Sequence, residues 1–502
     1  MTPGLVLTLV LTLVPSLTPS LALARVPTAG AGAQAARAEV RGTWLTTTAN
    51  TAIATPQDTA QTMRRLREIG LNTVYVEAWK NGTTQFPSEV LRRTLGLAQR
   101  PAAALQDPAD RGKAAAPVRD LLEEMLIEGH RQGLLVIAWF EYGFMAAHGS
   151  THNTLRSRKP EWLSRDRQGR EVAPNGFVWM NPLHPQARRF LTDLTLEAMG
   201  RYDLDGVQFD DRIVWPHVSM GYDDTTRAAY AAEHQGRAPP DDPQDPAWMQ
   251  WRAAQLDRLV QEFLRELAQA RPGLLLSLSP AVYPWSWEHY LLNWPAWSTW
   301  PRGQRWAEWV PQAYRSSWPA FERSWREQTQ ALQAAGAYHP QELVAGIRLV
   351  GEGAPSSWEQ LQRSIELVRS LDQGGHVLWF SRGVLDLHAQ ALQAFYARTD
   401  GAAGPAPSPR FAPQWRRPAV PLQRDATEGL WRLPPQHGLP EGRYRAIAHD
   451  GQRWRYLDGT VTVDAALAAA QRVKAEPGDQ AVELLVDRRA DLRQDPLAPP
   501  LR

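Results

Sequence analysis

Eight short apolar runs alternate along most of this chain with stretches of helical period, and that alternation constrains the fold more than any other feature. The runs start near Val40 (VRGTWLTTT), Asn72 (NTVYVEAW), Leu134 (LLVIAWFEY), Asp205 (DGVQFDDR), Leu274 (LLLSLSPAVY), Glu308 (EWVPQAY), Leu343 (LVAGIRLV) and Gly375 (GHVLWFSRG). Among them the spacing of apolar residues predicts helices such as Gln57–Ile69, Val118–Gln132, Pro185–Tyr202, Trp248–Ala270, Trp318–Ala335, Trp358–Leu371 and Leu387–Ala397. Eight strand–helix units predict an α/β chain built as a (β/α)8 barrel. The long connections after the second, third and fourth runs read as structureless loops on the barrel's catalytic face.

The 502 residues exceed what one barrel needs, so a second, smaller domain is expected. The layout that follows is a signal peptide over 1–24, a flexible segment over 25–38, the barrel over 39–400, a Pro/Gly/Ala-rich linker over 401–413 and an accessory module over 414–502. The module reads as α+β or β-rich, with short alternating segments from Leu430 to Arg489 around one alanine-rich helix, Ala465–Val473. The signal peptide rests on the apolar run Leu5–Val14 followed by the A-x-A site Ala22, Leu23, Ala24. It predicts cleavage after Ala24 and export to the periplasm or the cell exterior. No later stretch approaches the ~20 apolar residues of a membrane span, so none is expected in the mature protein.

Composition narrows the partners. A balance of 55 basic and 53 acidic residues leaves no footprint for nucleic acid. The absence of cysteine rules out disulfides and thiolate metal sites. No metal and no cofactor is expected: H-E-x-x-H, G-x-S-x-G and phosphate-loop patterns are missing, and His148 and His152 lie without an obvious carboxylate ligand set. Tryptophan, at 22 residues, outnumbers phenylalanine, at 11. Indole faces suit sugar rings, although packing of barrel and helix interfaces accounts equally for most of them.

Strand parity selects the residues that could carry chemistry, because groups facing the helices are apolar while catalytic groups stand at strand ends and point to the axis. In DGVQFDDR, Val207 and Phe209 form the outward set, which turns Gln208 and Asp210 inward. Asp210 is therefore the leading catalytic carboxylate, the alternative being a plain ion pair with Arg212 or Arg315. In the second run Val74 and Val76 face out, leaving Tyr75, Glu77 and Trp79 inward. Glu141, at the end of the third run, has ambiguous facing but the right height. Glu308 begins its strand and is assigned to the N-terminal face and to stability. Gln312 and Tyr314 share a face at the end of the sixth run, followed by Arg315. Tyr283, Trp285 and Trp287 could form a stacking wall, and Trp44 is a further candidate for binding substrate. Several carboxylates among aromatics at a barrel mouth suit glycoside hydrolysis, which needs one carboxylic acid and one carboxylate base or nucleophile. The competing reading is a catalytically silent carbohydrate-binding or envelope scaffold protein on the same barrel.

Taken in order, RGTWLTTT, NTVYVEAW with FPSEVL, IAWFEYGF, VWMNPLHP, YDLDGVQFDDR, SLSPAVYP and VPQAYR resemble the glycosyl-hydrolase-like family 10 domain, a bacterial group of exported TIM-barrel proteins, along roughly Val40 to Arg398. The resemblance implies glycoside hydrolase activity on a polysaccharide, with peptide-free peptidoglycan glycan strands as the substrate of known members. It matches Asp210 and Asp211 to the family's fourth-strand aspartate pair, and Gln312 and Tyr314 to its sixth-strand pattern. Glu77 and Glu141 stand where the peptidoglycan-cleaving branch tends to carry amides. The paired aspartates also admit substrate-assisted hydrolysis, in which Asp211 or Asp210 orients an acetamido group, although opposite strand parity sets the two apart.

Overall fold

The computed structural model describes residues 37–48, 50–101, 118–400, 413–426, 429–464 and 472–488. The apolar runs form eight strands: β1 (Val40–Leu45), β2 (Thr73–Glu77), β3 (Leu135–Phe140), β4 (Gly206–Phe209), β5 (Leu275–Leu278), β6 (Glu308–Trp309), β7 (Val344–Arg348) and β8 (Gly375–Trp379). All pair in parallel, in the spatial order β6-β5-β4-β3-β2-β1-β8-β7. Isolated parallel bridges Trp309–Leu343 and Gln312–Gly346 join the two edges and complete a (β/α)8, TIM-type ring. β6 is short because Pro311 has no N–H for the ladder; its carbonyl still accepts from Gly346 N–H at 3.1 Å.

The predicted helices appear as α1 (Pro56–Ile69), α2 (Leu121–Arg131), α3 (Pro185–Arg201), α4 (Pro246–Ala270), α5 (Trp318–Ala334), α6 (Trp358–Ser370) and α7 (Ala389–Asp400). Local chemistry sets their ends. Thr55 and Asp58 form a reciprocal capping box on α1, and Gly70, at φ 107°, ends it in the left-handed conformation. Two short helices, Trp285–Tyr290 and Trp294–Trp297, take the place of one long helix between β5 and β6.

Alternation divides the strand side chains as expected. Val74 and Val76 pack outward among the helices, and Phe209 stacks on Phe140 and meets Phe263 of α4. Inside the ring, Trp44 Nε1 donates to Gln208 Oε1 at 2.7 Å, Gln208 Nε2 to Ser277 Oγ at 2.9 Å, and Ser277 Oγ to Glu308 Oε1 at 2.6 Å. Tyr75 OH reaches the same Glu308 oxygen at 2.9 Å. This chain of bonds makes it possible to bury a carboxylate in the interior. It also requires Gly42 on the neighbouring strand: a Cβ there would sit 2.9 Å from the Tyr75 ring and 3.1 Å from Val377.

Several expectations are corrected. Glu308 lies inside the barrel rather than on its N-terminal face, because Tyr75 and Ser277 offer hydroxyls where the ring would otherwise be apolar. Trp79 does not point to the axis: β2 ends at Glu77, and the indole packs edge-on against Phe190 of α3 while donating to Gly143 O at 3.1 Å. Nor are the long connections structureless. The one after β2 carries a hairpin, Trp79–Lys80 with Thr83–Thr84, and a helix, Glu89–Leu95; the one after β3 pairs Met145–His148 with Phe177–Trp179.

In the accessory module, β9 (Gly442–His449) and β10 (Ala481–Val486) pair antiparallel at the centre of a five-stranded sheet, beside a three-stranded one. Arg472–Lys474 is a strand, which excludes Val473 from the expected helix; residues 465–471 lie outside the described residues, as do the signal peptide and the linker up to residue 412. The module docks on the N-terminal end of the barrel. Arg488 Nη1 donates to Asp205 Oδ2 at 2.5 Å just before β4, Arg131 of α2 pairs with Glu483 at 2.8 Å, and Ile127 packs with Ile447 and Leu485. Among the described residues, no helix is long and apolar enough to cross a membrane.

Candidate active site

Asp210 follows β4 directly, at the C-terminal end of the ring, and is 4% exposed. Every neighbour it touches donates to it. Arg212 Nη1 reaches Oδ2 at 2.7 Å, the Asp211 N–H reaches Oδ1 at 2.8 Å, and the Gln312 amide donates to the same Oδ1. Gln312 is fixed in turn by a bond to Ser279 O at 3.0 Å. The Arg212 nitrogen gathers three acids: besides Asp210 it lies 3.5 Å from Asp211 Oδ1 and 3.9 Å from Glu141 Oε1. Asp210 Oδ2 and Glu141 Oε1 are thus no further apart than about 6.6 Å, the sum of their contacts to that nitrogen and close to the carboxyl spacings of glycosidases.

Glu77 and Glu141 share one cation but differ in chemistry. Lys80 Nζ lies 3.3 Å from Glu77 Oε2 and 2.7 Å from Glu141 Oε2. Glu77 also accepts from Thr46 Oγ1 at 2.8 Å, Thr47 N–H at 2.9 Å, Thr47 Oγ1 at 2.6 Å and Gln85 Nε2 at 2.7 Å. Burial alone would raise its pKa, but Lys80, the Thr47 hydroxyl and amide, and Arg100 hold it below the usual range. Glu77 is therefore an ionised anchor. Glu141 lacks such a cradle: burial, reinforced by the charge of Glu77, pushes it above the usual range against Lys80 and Arg212. Burial and the neighbouring Asp211 and Glu141 likewise raise Asp210 well above its ordinary value, against Arg212. Lys80 and Arg212 stay protonated, held up by the same acids despite burial.

Four carboxyl groups, Glu77, Glu141, Asp210 and Asp211, thus meet three cations: Lys80, Arg212 and, beside Glu77, Arg100. The excess negative charge in a buried site is relieved by retaining a proton. Glu77 cannot hold it, because donors saturate both its oxygens. Asp210, although its acidic neighbours raise it, accepts from Arg212 on Oδ2 and from the Asp211 N–H and Gln312 on Oδ1, bonds that favour its charged form. Glu141 Oε1, beyond hydrogen-bond range of Arg212, is the oxygen left to carry a proton toward the cleft.

A prediction follows for Glu77→Gln. Removing its charge ends the repulsion on Glu141 and leaves Lys80 to Glu141 alone, so the Glu141 carboxylate is favoured and its proton leaves at lower pH. The alkaline limb of a pH–rate profile should move down by about one unit. A role confined to holding the loops would lower the rate at every pH and leave the limb in place.

A cleft of about 720 Å³ opens beside Glu77 and Glu141 and is lined also by Thr47, Lys80, Arg100, Tyr142, Phe177 and Arg212; Asp210 is not part of its lining. Of the residues expected to bind substrate, Gln312 and Tyr314 join Asp210. Tyr314 stacks on Trp379 at 5.7 Å, and burial together with Asp210 and Asp211 keeps its hydroxyl protonated. Trp44 and Gln208 lie beneath the site, 1% and 0% exposed and bonded to each other, so they build its floor. Arg315 donates to Tyr314 O; the ion pair with Asp210 is made by Arg212. Tyr283 is half-buried, its backbone held by Gln328. Sequence reasoning missed Lys80 and Trp379. Lys80 is one of only four lysines in an arginine-rich chain and stands three residues after Glu77, which is the signal that could have found it. Among the described residues, no group of three or more histidine, aspartate or glutamate side chains is arranged to hold a metal ion; His148 turns to Ser150 and Phe177.

Residues 39–349 match the family described as Glycosyl hydrolase-like 10. Glycosyl hydrolase DigH of Escherichia coli K12 is 24% identical over 266 residues, covering 48% of this chain and 55% of the relative, so the chain spans about half the length of the curated relatives it matches. Among solved structures, the PgaB (BpsB) glycoside hydrolase domain from Bordetella bronchiseptica is similar with a TM-score of 0.51 at 16% identity, covering 71% of this chain and 98% of that one. The catalytic domain of a β-amylase from Paenibacillus polymyxa reaches 0.51 at 9% identity, over 74% and 100%. Likeness at such identity concerns the barrel fold. Matched over more than half its length, and with Asp210 and Asp211 at the end of β4, this chain belongs to the glycosyl hydrolase-like 10 family.

Proposed function

We propose that this protein is an exported glycoside hydrolase that cuts O-glycosidic bonds within a polysaccharide, with peptide-free peptidoglycan strands as the first substrate to test. The observation that carries the reading is the close pair of Asp210 and Glu141 on one arginine, since a barrel that only binds sugar has no need to hold two raised carboxyl groups so near each other. Glu141 serves as general acid, protonating the leaving oxygen from Oε1. Asp210, ringed by donors, is the carboxylate that attacks the anomeric carbon or, with Asp211, orients the sugar's own acetamido group for that attack. Arg212 steadies both carboxyl groups, and Lys80 with Glu77 sets how tightly Glu141 holds its proton. Export is proposed from the N-terminal apolar run and its A-x-A site.

The test is a screen of glycans with product analysis: peptide-free peptidoglycan, chitin, starch and other polysaccharides, incubated with purified protein and analysed for new reducing ends. Shortened strands are expected from at least one. Binding of a glycan without any new reducing end would favour the silent scaffold instead.

A further inference from the structure

We infer that Trp285 forms an outlying subsite on which a sugar ring of the substrate chain stacks, beyond the bond being cut. All 22 tryptophans fall within the described residues, and Trp285 is the only one that is exposed, at 42%. The rest are buried or half-buried. A single exposed indole needs no explanation in itself; what marks this one is where it stands and how it is backed.

That position is on the catalytic end of the barrel, in the short helix that follows β5. The indole lies against His289 with ring centroids 4.6 Å apart and planes 24° from parallel, and touches Tyr290 at 5.3 Å. It is therefore held on a support rather than loose. The helix is tied by main-chain bonds to the segment descending from Asp210: Trp215 N–H donates to Tyr290 O at 3.2 Å and Val218 N–H to His289 O at 2.7 Å. Tyr290 in turn bonds Asn175 Nδ2 at 2.9 Å, and burial, with the nearby charge of Asp211, pushes its hydroxyl up. Tyr290 thus touches Trp285 and lies within electrostatic reach of Asp211, which puts the platform on the Asp211 side of the barrel's catalytic end. A flat, rigidly backed aromatic face on the catalytic end of the barrel fits a pyranose ring, whose C–H face is apolar while its rim of hydroxyls stays in water. Trp287 and Tyr283, half-buried in the same connection, complete the turn instead of offering a face.

The inference rests on the proposed glycosidase reading, and the test separates the two. Affinity for peptide-free peptidoglycan strands, chitohexaose and maltohexaose is measured by calorimetry on Asp210→Asn, which binds without cutting, and on the same variant carrying Trp285→Ala or Trp285→Phe. The alanine change should weaken binding of the recognised glycan about tenfold, the phenylalanine change much less, and glycan should shift the tryptophan emission of the parent. Unchanged melting temperatures, expected for an exposed side chain, exclude a folding defect. Equal affinity with and without Trp285 overturns the subsite while leaving the glycosidase reading intact. If the parent binds none of the three and the wild type cuts none, both fall.

Discussion

Asp210→Asn is expected to lower glycan hydrolysis by about 10²–10⁴-fold, the loss that follows removal of an essential acid–base or nucleophilic group, while the protein stays folded. The amide keeps an oxygen to accept from the Asp211 N–H and from Gln312, so the local hydrogen bonds survive. What it gives up is the ion pair at 2.7 Å with Arg212 and the negative charge at the anomeric centre. Arg212 still faces Asp211 and Glu141. Reducing-end release measured beside a thermal melt checks both halves of the statement. A folded variant working at the wild-type rate would remove Asp210 from the chemistry.

Glu141→Gln should produce a comparable loss, but with a signature of its own. Glutamine cannot donate a full proton, so a natural glycan, whose leaving oxygen is a poor leaving group, should be cut about 10²–10⁴-fold more slowly. An aryl glycoside whose leaving group needs no proton should lose far less. The alkaline limb should also vanish: in the wild type it marks the pH at which the raised Glu141 gives up its proton, and glutamine has none to give up. Kinetics on the two substrates across pH give the answer. Equal slowing on both would reduce Glu141 to a structural part of the cleft.

Much of this was legible in the sequence because both periods were clean. Val74/Val76 and Val207/Phe209 mark the outward faces, and Tyr75, Glu77, Gln208 and Asp210 fall inward as that alternation requires. Asp210 could be singled out because it sits one residue past β4 on the inward parity. The charge state of Glu77 could not, since it is set by Lys80 and Arg100 of the connection after β2 and by Thr47, which follows β1. Trp79 was misplaced for the same kind of reason: parity holds only while the strand lasts, and β2 stops at Glu77. Glu308 looked like a residue of the barrel's lower face until the hydroxyls of Tyr75 and Ser277, each from another strand, were seen to hold it inside. The docking of the module depends on Arg488 meeting Asp205 across 283 residues, a contact that no local pattern encodes.

The spacing of the catalytic pair has its own readout. Asp210 Oδ2 and Glu141 Oε1 lie no more than about 6.6 Å apart, an upper bound at the short end of the ~6.5–9.5 Å that inverting glycosidases need to seat a water. Attack by Asp210 itself or by an acetamido group that it orients also proceeds through two displacements. Proton NMR of the first product released by the wild-type protein, recorded before mutarotation, reads the outcome directly. The anomeric configuration of the cleaved bond is predicted to be retained; an inverted product would contradict the assignment of Asp210 and Glu141 as the closely spaced catalytic pair.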